Sequence, residues 1–365
     1  MSNAIKVGIV GLGRAGWGTI PKEMEKEKTK GLFEIAAVCD IIRKRVDTAV
    51  NAFGCKGYDC IEDLLKDPDV ELVVIATRSI DHFRHAMMAL KAGKNVVVEK
   101  PASINWGLVD ELLAYGERKD TPRLYIRQNR RFESVFNEVL SKINSGILGT
   151  ISEINIEERS YERRDDWQTL NEFGGGLILN WGPHIIDHAV ILLGAPVLNQ
   201  FGAMQRSAAG GDREDHFSLH LLGENGRKVN VWISGASALN NGRTFTVYGN
   251  RGAMVCHDQN VKLRYIDPKQ VLPEVVADRE TPGNSWGKTG TFEAEIKPDW
   301  IEEEYEVPAL HFGEAMWYEV YKDFRGNKNT YPIKNEEVRE YMKVLSRLRD
   351  GEKIWDMTAN RDYIG

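Results

Sequence analysis

The chain has 365 residues, which exceeds the length at which a single hydrophobic core usually stops growing, so two domains are expected. Its formal net charge of −6 at pH 7 provides no electrostatic argument for binding nucleic acid. No apolar run approaches the ~18 residues of a membrane span, and four scattered cysteines form no CxxC pair, so we expect a cytoplasmic protein without a disulfide framework or a membrane partner.

Short β-branched runs alternate with helical patterns over residues 1–125, which is typical of a parallel sheet with crossover helices. Strands are predicted at residues 5–10, 33–39, 71–76, 95–98 and 124–128. A helix is predicted over residues 81–92, with Asp81 as its capping residue and Gly93 after its end. The first domain is therefore predicted to be α/β, spanning residues 1–125.

A glycine-rich loop, GLGRAG, follows the first predicted strand and precedes a helical segment. In this context the first glycine permits a tight turn, the second lets the backbone approach a pyrophosphate, and the third lets the helix pack on the strand. We therefore predict a Rossmann-type phosphate site formed by Gly11, Gly13, Arg14, Ala15 and Gly16. A glycine turn that binds nothing is the alternative.

Asp40 closes the second predicted strand, where an acidic side chain can accept hydrogen bonds from the adenosine ribose hydroxyls. Its carboxylate would repel a 2′-phosphate, so NAD is predicted as the cofactor in preference to NADP. Arg43 argues the other way, because it lies close enough in sequence to contact such a phosphate. The alternative role for Asp40 is a cap on the helix that follows.

The tripeptide Glu99-Lys100-Pro101 stands at the carboxyl end of an apolar strand, which is the edge where ligands bind in an open parallel sheet. Lys100 at that edge can donate a hydrogen bond to a hydroxyl or carbonyl at a reacting centre, while Glu99 steadies nearby groups. A salt bridge at the end of the strand is the alternative.

From Ile151 onward the pattern changes to period-2 alternation, which predicts strands with one buried face. These runs lie at residues 154–156, 217–221, 229–233 and 245–247, with hairpin turns expected at Asn225-Gly226 and Asn241-Gly242. Residues 267–298 predict a long insertion loop and residues 335–349 a helix. Residues 126–365 are therefore predicted to form an α+β domain on an open, mainly antiparallel sheet.

The segment GGGLILNWGPHIID at residues 174–187 places the amide of Asn180 four residues before the imidazole of His184. It is typical of an active-site loop that enters a helix. Histidine suits proton transfer because its unperturbed pKa lies near neutrality. Trp167 and Trp181 flank the proposed site, and indole rings often pack on the apolar faces of sugars, so both are candidates for substrate binding.

The spacing of His184, Asp187 and His188 also resembles a metal-binding HxxEH helix. No further ligand motif accompanies it, so no metal is predicted, and His188 is interpreted as a structural polar residue. His216 and His220 are interpreted as residues on one face of a strand rather than as ligands.

Together these motifs resemble the Gfo/Idh/MocA family of sugar and polyol dehydrogenases. The matching stretches run in family order: GLGRAG at residues 11–16, Asp40, A-T-x-x-x-x-H at 76–82, AGKNVVVEKP at 92–101, NRRF at 129–132 and GGGxxxNxGxHxxD at 174–187. Beyond about residue 194 the resemblance is one of general pattern. It implies a Rossmann fold followed by an open-sheet domain that often mediates oligomerisation, so a homodimer or homotetramer is expected.

The resemblance also implies roles for single residues. Lys100 would bind the reacting oxygen, and His184 would exchange the hydroxyl proton as hydride moves to or from nicotinamide. The residues expected to contact the cofactor are Thr77, His82, Glu99 and Lys100. Those expected to contact the substrate are Asn129, Asn180, Lys100 and His184. Asn180 stands where dehydrogenases of the inositol type usually carry aspartate, and an amide can orient hydroxyls but cannot stabilise an imidazolium by charge.

The sequence therefore predicts an NAD(P)-dependent dehydrogenase that transfers a hydride between nicotinamide and a hydroxyl-bearing carbon of a sugar, glycoside or polyol. Two alternatives remain. One is an enzyme that uses tightly held NAD+ for transient oxidation within a hydrolytic or lyase reaction, and the other is a non-catalytic nucleotide or sugar sensor. The presence of both Lys100 and His184 argues against the sensor.

Overall fold

The computed structural model describes residues 3–239, 242–274, 297–326 and 329–358. Within these residues the chain forms two sheets, one of six strands and one of nine.

The N-terminal sheet is parallel throughout and is covered by helices. Its elements are β1 (Ile5–Val10), α1 (Ile20–Met24), β2 (Phe33–Cys39), α2 (Arg43–Phe53), β3 (Lys56–Tyr58), α3 (Ile61–Lys66), β4 (Leu72–Ile75), α4 (His82–Lys91), β5 (Asn95–Glu99), α5 (Trp106–Gly116) and β6 (Leu124–Arg127). The strand order is β3-β2-β1-β4-β5-β6. This doubly wound order confirms the predicted Rossmann fold, with its topological switch point between β1 and β4.

The predicted N-terminal elements agree with the structure except in detail. The strand β4 is buried at every position, as expected of a parallel strand covered on both faces. Asp81 occupies the N-cap position of α4, but its side chain makes no capping hydrogen bond, so that prediction was wrong. Its carboxylate lies 3.9 Å from the guanidinium of Arg78 instead.

The second sheet is mainly antiparallel and confirms the predicted open-sheet domain. Its strands are β7 (Ile151–Arg159), β8 (Val197–Arg206), β9 (His216–Gly223), β10 (Lys228–Ser234), β11 (Gly242–Gly249), β12 (Gly252–His257), β13 (Asn260–Ile266), β14 (Trp300–Glu306) and β15 (Ile354–Asp356). They lie in the order β14-β13-β12-β11-β7-β10-β9-β8-β15. Only the β7–β10 and β8–β15 pairs are parallel among these strands.

Among the described residues, helices cover one face of this sheet and leave the other face open. The helices that follow β6 are α6 (Ser134–Asn144), α7 (Leu177–Asn180), α8 (Gly182–Leu193), α9 (Phe312–Gly326) and α10 (Asn335–Gly351). Buried residues of α8 and α10 form one core with the inward side chains of the strands. On the open face, a row of rings crosses the sheet, with Phe201 stacked on His220 and His220 edge-on to Trp232.

One predicted hairpin is present and the other is wrong. Gly226 adopts a φ of 78° in the turn between β9 and β10, which pair directly. Asn241 lies outside the described residues, and β7 lies between β10 and β11, so those two strands form no hairpin. In the predicted insertion at 267–298, residues 275–296 also lie outside the described residues, while the flanking strands β13 and β14 pair directly.

The helix α9 returns to the N-terminal sheet. Met316, Trp317 and Val320 are buried in one cluster with residues of β1, β2 and β4. The ring of Trp317 meets that of Phe33 at 5.5 Å, and its indole Nε1 donates to Glu23 at 2.9 Å. A segment more than 180 residues beyond β6 therefore completes the packing of the nucleotide-binding fold. The domain boundary at residues 125–126 stays a prediction.

No single helix in the described ranges is long and apolar enough to cross a membrane. The bent pair Asn171–Asn180 and Gly182–Leu193 passes that test by length and composition only. In the structure, most residues of the second helix of this pair, α8, are buried inside the protein.

Candidate active site

The glycine loop after β1 has a shape that requires glycine at Gly11 and Gly16. A Cβ on Gly16 would lie 1.9 Å from the carbonyl oxygen of Gly11, so the helix that follows can approach the loop only without a side chain there. A Cβ on Gly13 would meet no described heavy atom within 4 Å. The space beside Gly13 is thus open to an incoming group, as required where a backbone cradles a pyrophosphate. The loop therefore fits a dinucleotide cofactor.

The neighbouring strand end supports the same loop. Gly11 has a φ of 92° and packs so closely on the end of β4 that a Cβ would lie 2.7 Å from the Ala76 carbonyl oxygen. Arg14 is exposed at the start of the helical segment Arg14–Thr19, which continues into α1. Burial raises the pKa of Asp166, but its hydrogen bonds to Arg164 and to the backbone of Gln168 outweigh that effect and lower it, with a smaller contribution from the charge of Arg14.

Asp40 is buried and holds the cofactor loop. Its Oδ2 accepts from the backbone N–H of Leu12 at 2.7 Å, and its Oδ1 accepts from that of Ile42 at 2.8 Å. Arg45, a residue that the sequence analysis did not single out, lies 3.5 Å from the same carboxylate. Arg43 points to Asp47 and Asp59 instead. The carboxylate thus has one structural bond on each oxygen and retains lone pairs for a ribose hydroxyl.

His82 ties the ends of β4 and β5 together. One ring nitrogen lies 3.0 Å from the carbonyl oxygen of Thr77, and the other lies 2.7 Å from that of Pro101. The hydroxyl of Thr77 lies 3.1 Å from Nδ1 of His85. His82 is almost fully buried, so its part in the predicted cofactor site is to hold the two loops at a fixed separation.

Glu99 belongs to a buried ion-pair network. Its Oε1 accepts from Arg127 Nη1 at 2.8 Å, and Arg127 Nη2 also lies 2.5 Å from Glu23. Because Glu23 accepts from Trp317, the network joins the end of β5 to α9. Glu99 therefore forms the salt bridge at the strand end that was given as the alternative, with Arg127, a partner that sequence spacing alone did not indicate.

Lys100 reaches from the Rossmann sheet to the second half of the chain. Its Nζ donates to the backbone oxygen of Asn180 at 2.8 Å. Removal from water, opposed by Glu99 and reinforced by Arg130 and other cations, lowers the pKa of this ammonium to about 8. A lysine that titrates near neutrality suits binding and proton exchange with an oxygen.

His184 is buried in the first turns of α8. Burial, and then the positive charges of Lys100 and Arg130, hold its pKa well below the ordinary histidine value, so the imidazole is neutral at neutral pH. Its Nδ1 is buried without a hydrogen-bond partner among the described residues. A neutral imidazole with an unpaired nitrogen can accept a proton or a hydrogen bond.

The ring of Trp181 is contacted by two arginines and by His184. The guanidinium of Arg130 sits 4.5 Å from the Trp181 ring centroid, that of Arg243 sits at 5.5 Å, and the ring meets His184 edge-on at 6.3 Å. Both arginines pair with Glu133. Neither arginine was predicted as a site residue: Arg130 belongs to the NRRF motif, whereas no motif marks Arg243, which comes from β11.

The short helix α7 is held by a buried carboxylate. Glu214 Oε1 accepts from the backbone N–H of Ile178 at 3.1 Å, and a Cβ on Gly176, whose φ is 111°, would lie 2.2 Å from the same oxygen. Arg213 lies 2.9 Å from the other oxygen of Glu214. Glu214, also missed from the sequence, thereby fixes the turn that presents Asn180 to Lys100.

The structure brings Lys100, Asn180, Trp181 and His184 to one corner. Trp167 and Asn129 are not shown to contact them: Trp167 is half-buried in a neighbouring turn, and Asn129 is buried at the start of the helical turn Asn129–Phe132, with its Oδ1 unpartnered among the described residues. Asn180 and Trp181 also line a cleft whose empty volume, which includes open solvent, is about 540 Å³.

The residues of the HxxEH-like pattern have other partners. Asp187 forms a two-pronged ion pair with Arg131, and His188 stacks on Phe136 while its Nε2 lies 3.1 Å from the carbonyl oxygen of Arg130. Across the described ranges, no three His, Cys, Asp or Glu side chains are grouped to hold a metal. His220 lies on the open sheet face and bonds to Asn230 at 2.9 Å.

Two family models match the chain. Residues 5–124 match the oxidoreductase family with an NAD-binding Rossmann fold, Gfo/Idh/MocA, and residues 136–255 match the Gfo/Idh/MocA C-terminal domain. An uncharacterized oxidoreductase of Schizosaccharomyces pombe is 32% identical over 207 residues, which are 55% of this chain and 56% of that protein. The chain thus spans little more than half the length of that relative.

Two better-described proteins are more distant. The scyllo-inositol 2-dehydrogenase (NADP+) IolW of Bacillus subtilis is 25% identical over 78% of this chain and 75% of its own length. The WlbA dehydrogenase of Bordetella pertussis, solved with NADH and UDP-GlcNAcA, superposes with a TM-score of 0.73 at 19% identity, over 95% of this chain and 97% of that one. The chain belongs to the Gfo/Idh/MocA family of NAD(P)-binding oxidoreductases.

Proposed function

We propose that this member of the Gfo/Idh/MocA family is a dehydrogenase that transfers a hydride between nicotinamide and a hydroxyl-bearing carbon of a sugar, glycoside or polyol. The observation that carries the proposal is the corner where the Lys100 ammonium, held by the backbone oxygen of Asn180, lies close enough to depress the pKa of His184. A cation and a neutral imidazole in one corner can stabilise a developing alkoxide and accept its proton.

The cofactor, when bound, supplies the hydride acceptor or donor. In the oxidation direction the substrate hydroxyl gives its proton to the neutral imidazole of His184, and the carbon that bears it loses hydride as the carbonyl forms. Lys100 donates a hydrogen bond to that oxygen and stabilises the negative charge that builds on it. The two bonding electrons of the C–H bond leave with the hydride, and the proton resides on His184. Reduction runs through the same groups in reverse.

The remaining groups position these two. Asn180 orients substrate hydroxyls with its amide, Trp181 offers an apolar ring, and Asn129 presents its buried amide oxygen from the start of its turn. Trp167 is proposed to contact the substrate from the adjacent turn. The cofactor contacts are assigned to the loop around Gly13, to Asp40, and to the strand ends at Thr77 and Glu99.

NAD is the proposed cofactor, on the strength of Asp40. A buried carboxylate bonded to the loop itself cannot swing away from a 2′-phosphate, so the phosphate would face its charge directly. Arg45 offsets part of that repulsion.

We also propose a homodimer or homotetramer formed through the open face of the second sheet. Phe201, 68% exposed, lies there beside His220 and Trp232, and exposed aromatic rings of this kind are typical of subunit interfaces. Light scattering of wild type and of Phe201→Glu tests this, since a wild-type monomer would refute it. A cytoplasmic location is proposed because all four cysteines, each within the described residues, are free thiols.

The test of the function is the absorbance of reduced nicotinamide with NAD+ and, separately, NADP+ against a panel of sugars, glycosides, inositols and sugar acids. We expect turnover with one substrate class and its loss in Lys100→Ala and His184→Ala. Lys119→Ala and His257→Ala, which change exposed residues outside the site, are the matched controls. Turnover that persists in both site variants would refute the assignment. No net reduction, together with NAD bound to the isolated protein, would favour the internal redox cycle.

A further inference from the structure

A cleft next to the proposed reaction site has no role in hydride transfer. It lies where the carboxyl ends of the parallel strands β7 and β10 meet the turn before α7, and it has about 540 Å³ of empty volume, part of it open to solvent. Its wall includes Asn180 and Trp181, which also border Lys100 and His184. A substrate that reacts at Lys100 can therefore extend past Asn180 into this cleft.

Four of the five charged residues in the described lining form ion pairs, and the fifth, Asp215, accepts hydrogen bonds from the backbone N–H groups of Ser207 and Ala208. Glu158 lies 2.5 Å from Arg243, and Glu214 lies 2.9 Å from Arg213. Arg164, the one cation in the described lining, pairs with Asp166 and lies 3.5 Å from Glu162. Since that arginine already faces two carboxylates, the cleft offers no surplus positive charge to a phosphate or carboxylate ligand.

The polar groups left over are uncharged. Across the described part of the chain, the hydroxyl of Ser160 and the side-chain amides of Gln168 and Asn180 have no hydrogen-bond partner. Hydroxyl and amide groups both donate and accept, which is the pairing that sugar hydroxyls require. Leu177 and the ring of Trp181 add apolar surface to the same wall, suited to the apolar face of a sugar ring.

We propose that this cleft is a subsite for a second, uncharged sugar ring, so that the enzyme acts on neutral glycosides such as disaccharides in preference to monosaccharides and to nucleotide sugars. The proposal rests on the proposed function, because it places the reacting ring at Lys100 and His184. The second ring occupies the cleft, where Ser160 and Gln168 bond its hydroxyls. Binding of that ring fixes the reacting carbon against Lys100 and His184.

Gly235 allows the cleft to be narrowed without a steric clash in the fold. It lines the cleft, and a Cβ there would come no closer than 3.5 Å to any described atom outside its immediate chain neighbours. The Cβ of Gly235→Leu therefore fits, the remaining side-chain carbons are placed to fill part of the cleft, and urea denaturation of this variant checks that it folds. Gln168→Ala removes one proposed hydrogen-bonding group as a second variant. The matched control is Gly351→Leu at the end of α10, where a Cβ meets no described atom within 4 Å.

The experiment measures binding by calorimetry and turnover by absorbance on the full chain saturated with NAD+. The probes are methyl β-D-glucopyranoside against cellobiose, methyl α-D-glucopyranoside against maltose, methyl β-D-galactopyranoside against lactose, and UDP-glucose as the anionic case. We expect at least one disaccharide to bind about tenfold or more tightly than its methyl glycoside. Gly235→Leu should remove that gain and Gln168→Ala should reduce it, with methyl glycoside binding unchanged in both variants.

Equal affinity within every pair, an equal loss for both members in Gly235→Leu, or tightest binding of UDP-glucose would overturn the subsite. The two proposals fail in different ways. Methyl glycosides that are oxidised with no gain from a second ring overturn the subsite and leave the dehydrogenase intact. A disaccharide that binds through the cleft but reduces no NAD+ refutes the dehydrogenase and supports the subsite.

Discussion

Two glycines in the loop after β1 have different roles: Gly16 permits the packing of the fold, and Gly13 leaves room for the cofactor. Substituting each by alanine, which adds one methyl group, distinguishes the two roles. Gly16→Ala places a Cβ 1.9 Å from the Gly11 carbonyl oxygen, a contact that only a backbone shift can relieve. Gly13→Ala places its Cβ in open space at a φ of −80°, which alanine adopts readily. The first change is expected to damage the fold, and the second to damage cofactor binding alone.

The structure sets the size of each effect. Relief of the Gly16→Ala contact needs a displacement of about 1 Å in a packed core, for which a cost of about 3 kcal/mol or more is expected. In a chain of 365 residues, with an unfolding entropy of about 2.1 cal/mol/K per residue, that corresponds to a fall in Tm of roughly 4 °C. Gly13→Ala should change the free energy of unfolding by no more than about 1 kcal/mol, because it creates no contact and restricts the unfolded chain. Its methyl group occupies the approach to the backbone, so the Kd for NADH should rise by about ten- to a hundredfold.

Urea denaturation and NADH fluorescence titration on the same preparations measure both quantities. Gly351→Ala, at an open position far from the loop, is the matched control for the added methyl group. If folded Gly13→Ala binds NADH as tightly as wild type, the loop does not cradle the pyrophosphate and the cofactor assignment fails. If Gly16→Ala has wild-type stability, the packing of the helix on the loop is not as described.

Other consequences follow from the site. Oxidation needs a protonated Lys100, whose pKa is about 8, and a neutral His184, so kcat/KM for oxidation should fall as the pH rises through about 8. Any activity of Lys100→Arg should lack that alkaline fall. A wild-type profile that keeps rising above pH 8 would instead make Lys100 the base. Asp40→Asn keeps one acceptor oxygen for the loop, and it should raise kcat/KM with NADP+, relative to kcat/KM with NAD+, by about tenfold or more. An unchanged ratio would show that Asp40 does not set the cofactor preference. Asn180→Ala keeps the backbone oxygen that holds Lys100, so steady-state kinetics should show a rise in KM much larger than any fall in kcat, and no effect on either would remove Asn180 from substrate positioning.

The N-terminal fold could be predicted because its signals are local. The strands β1, β2, β4 and β5 are apolar runs that end at motifs with chemical meaning, and periodicity locates them without knowledge of their partners. β3 and β15 have three residues each, too few for a period to appear. The order of the second sheet was also beyond local signals, because β7 inserts between β10 and β11, and turn residues alone cannot reveal a parallel neighbour from earlier in the chain.

The site residues that lie in local motifs could be predicted, whereas those that act on distant segments of the chain could not. Lys100 and His184 lie in motifs, and the structure places both at one corner as expected. Arg243 and Glu214 carry no mark in their own segments, since each acts on a residue that is distant in sequence: Arg243 on Trp181 and Glu214 on Ile178. Asp40 shows the limit of a motif, because its position was right while its bonds to Leu12 and Ile42 depend on how the loop closes.

Because α9 packs on the first sheet, the nucleotide-binding half can complete its fold only after α9 has been translated. Trp317 covers Phe33 and bonds to Glu23, the same carboxylate that Arg127 needs, so the nucleotide-binding half lacks part of its core until residues 312–326 have left the ribosome. Domains usually fold as they emerge, first domain first. In this protein the first half must wait for a helix translated after nearly all of the second sheet, and a nascent chain halted before that helix would expose the apolar surface around Phe33 to chaperones.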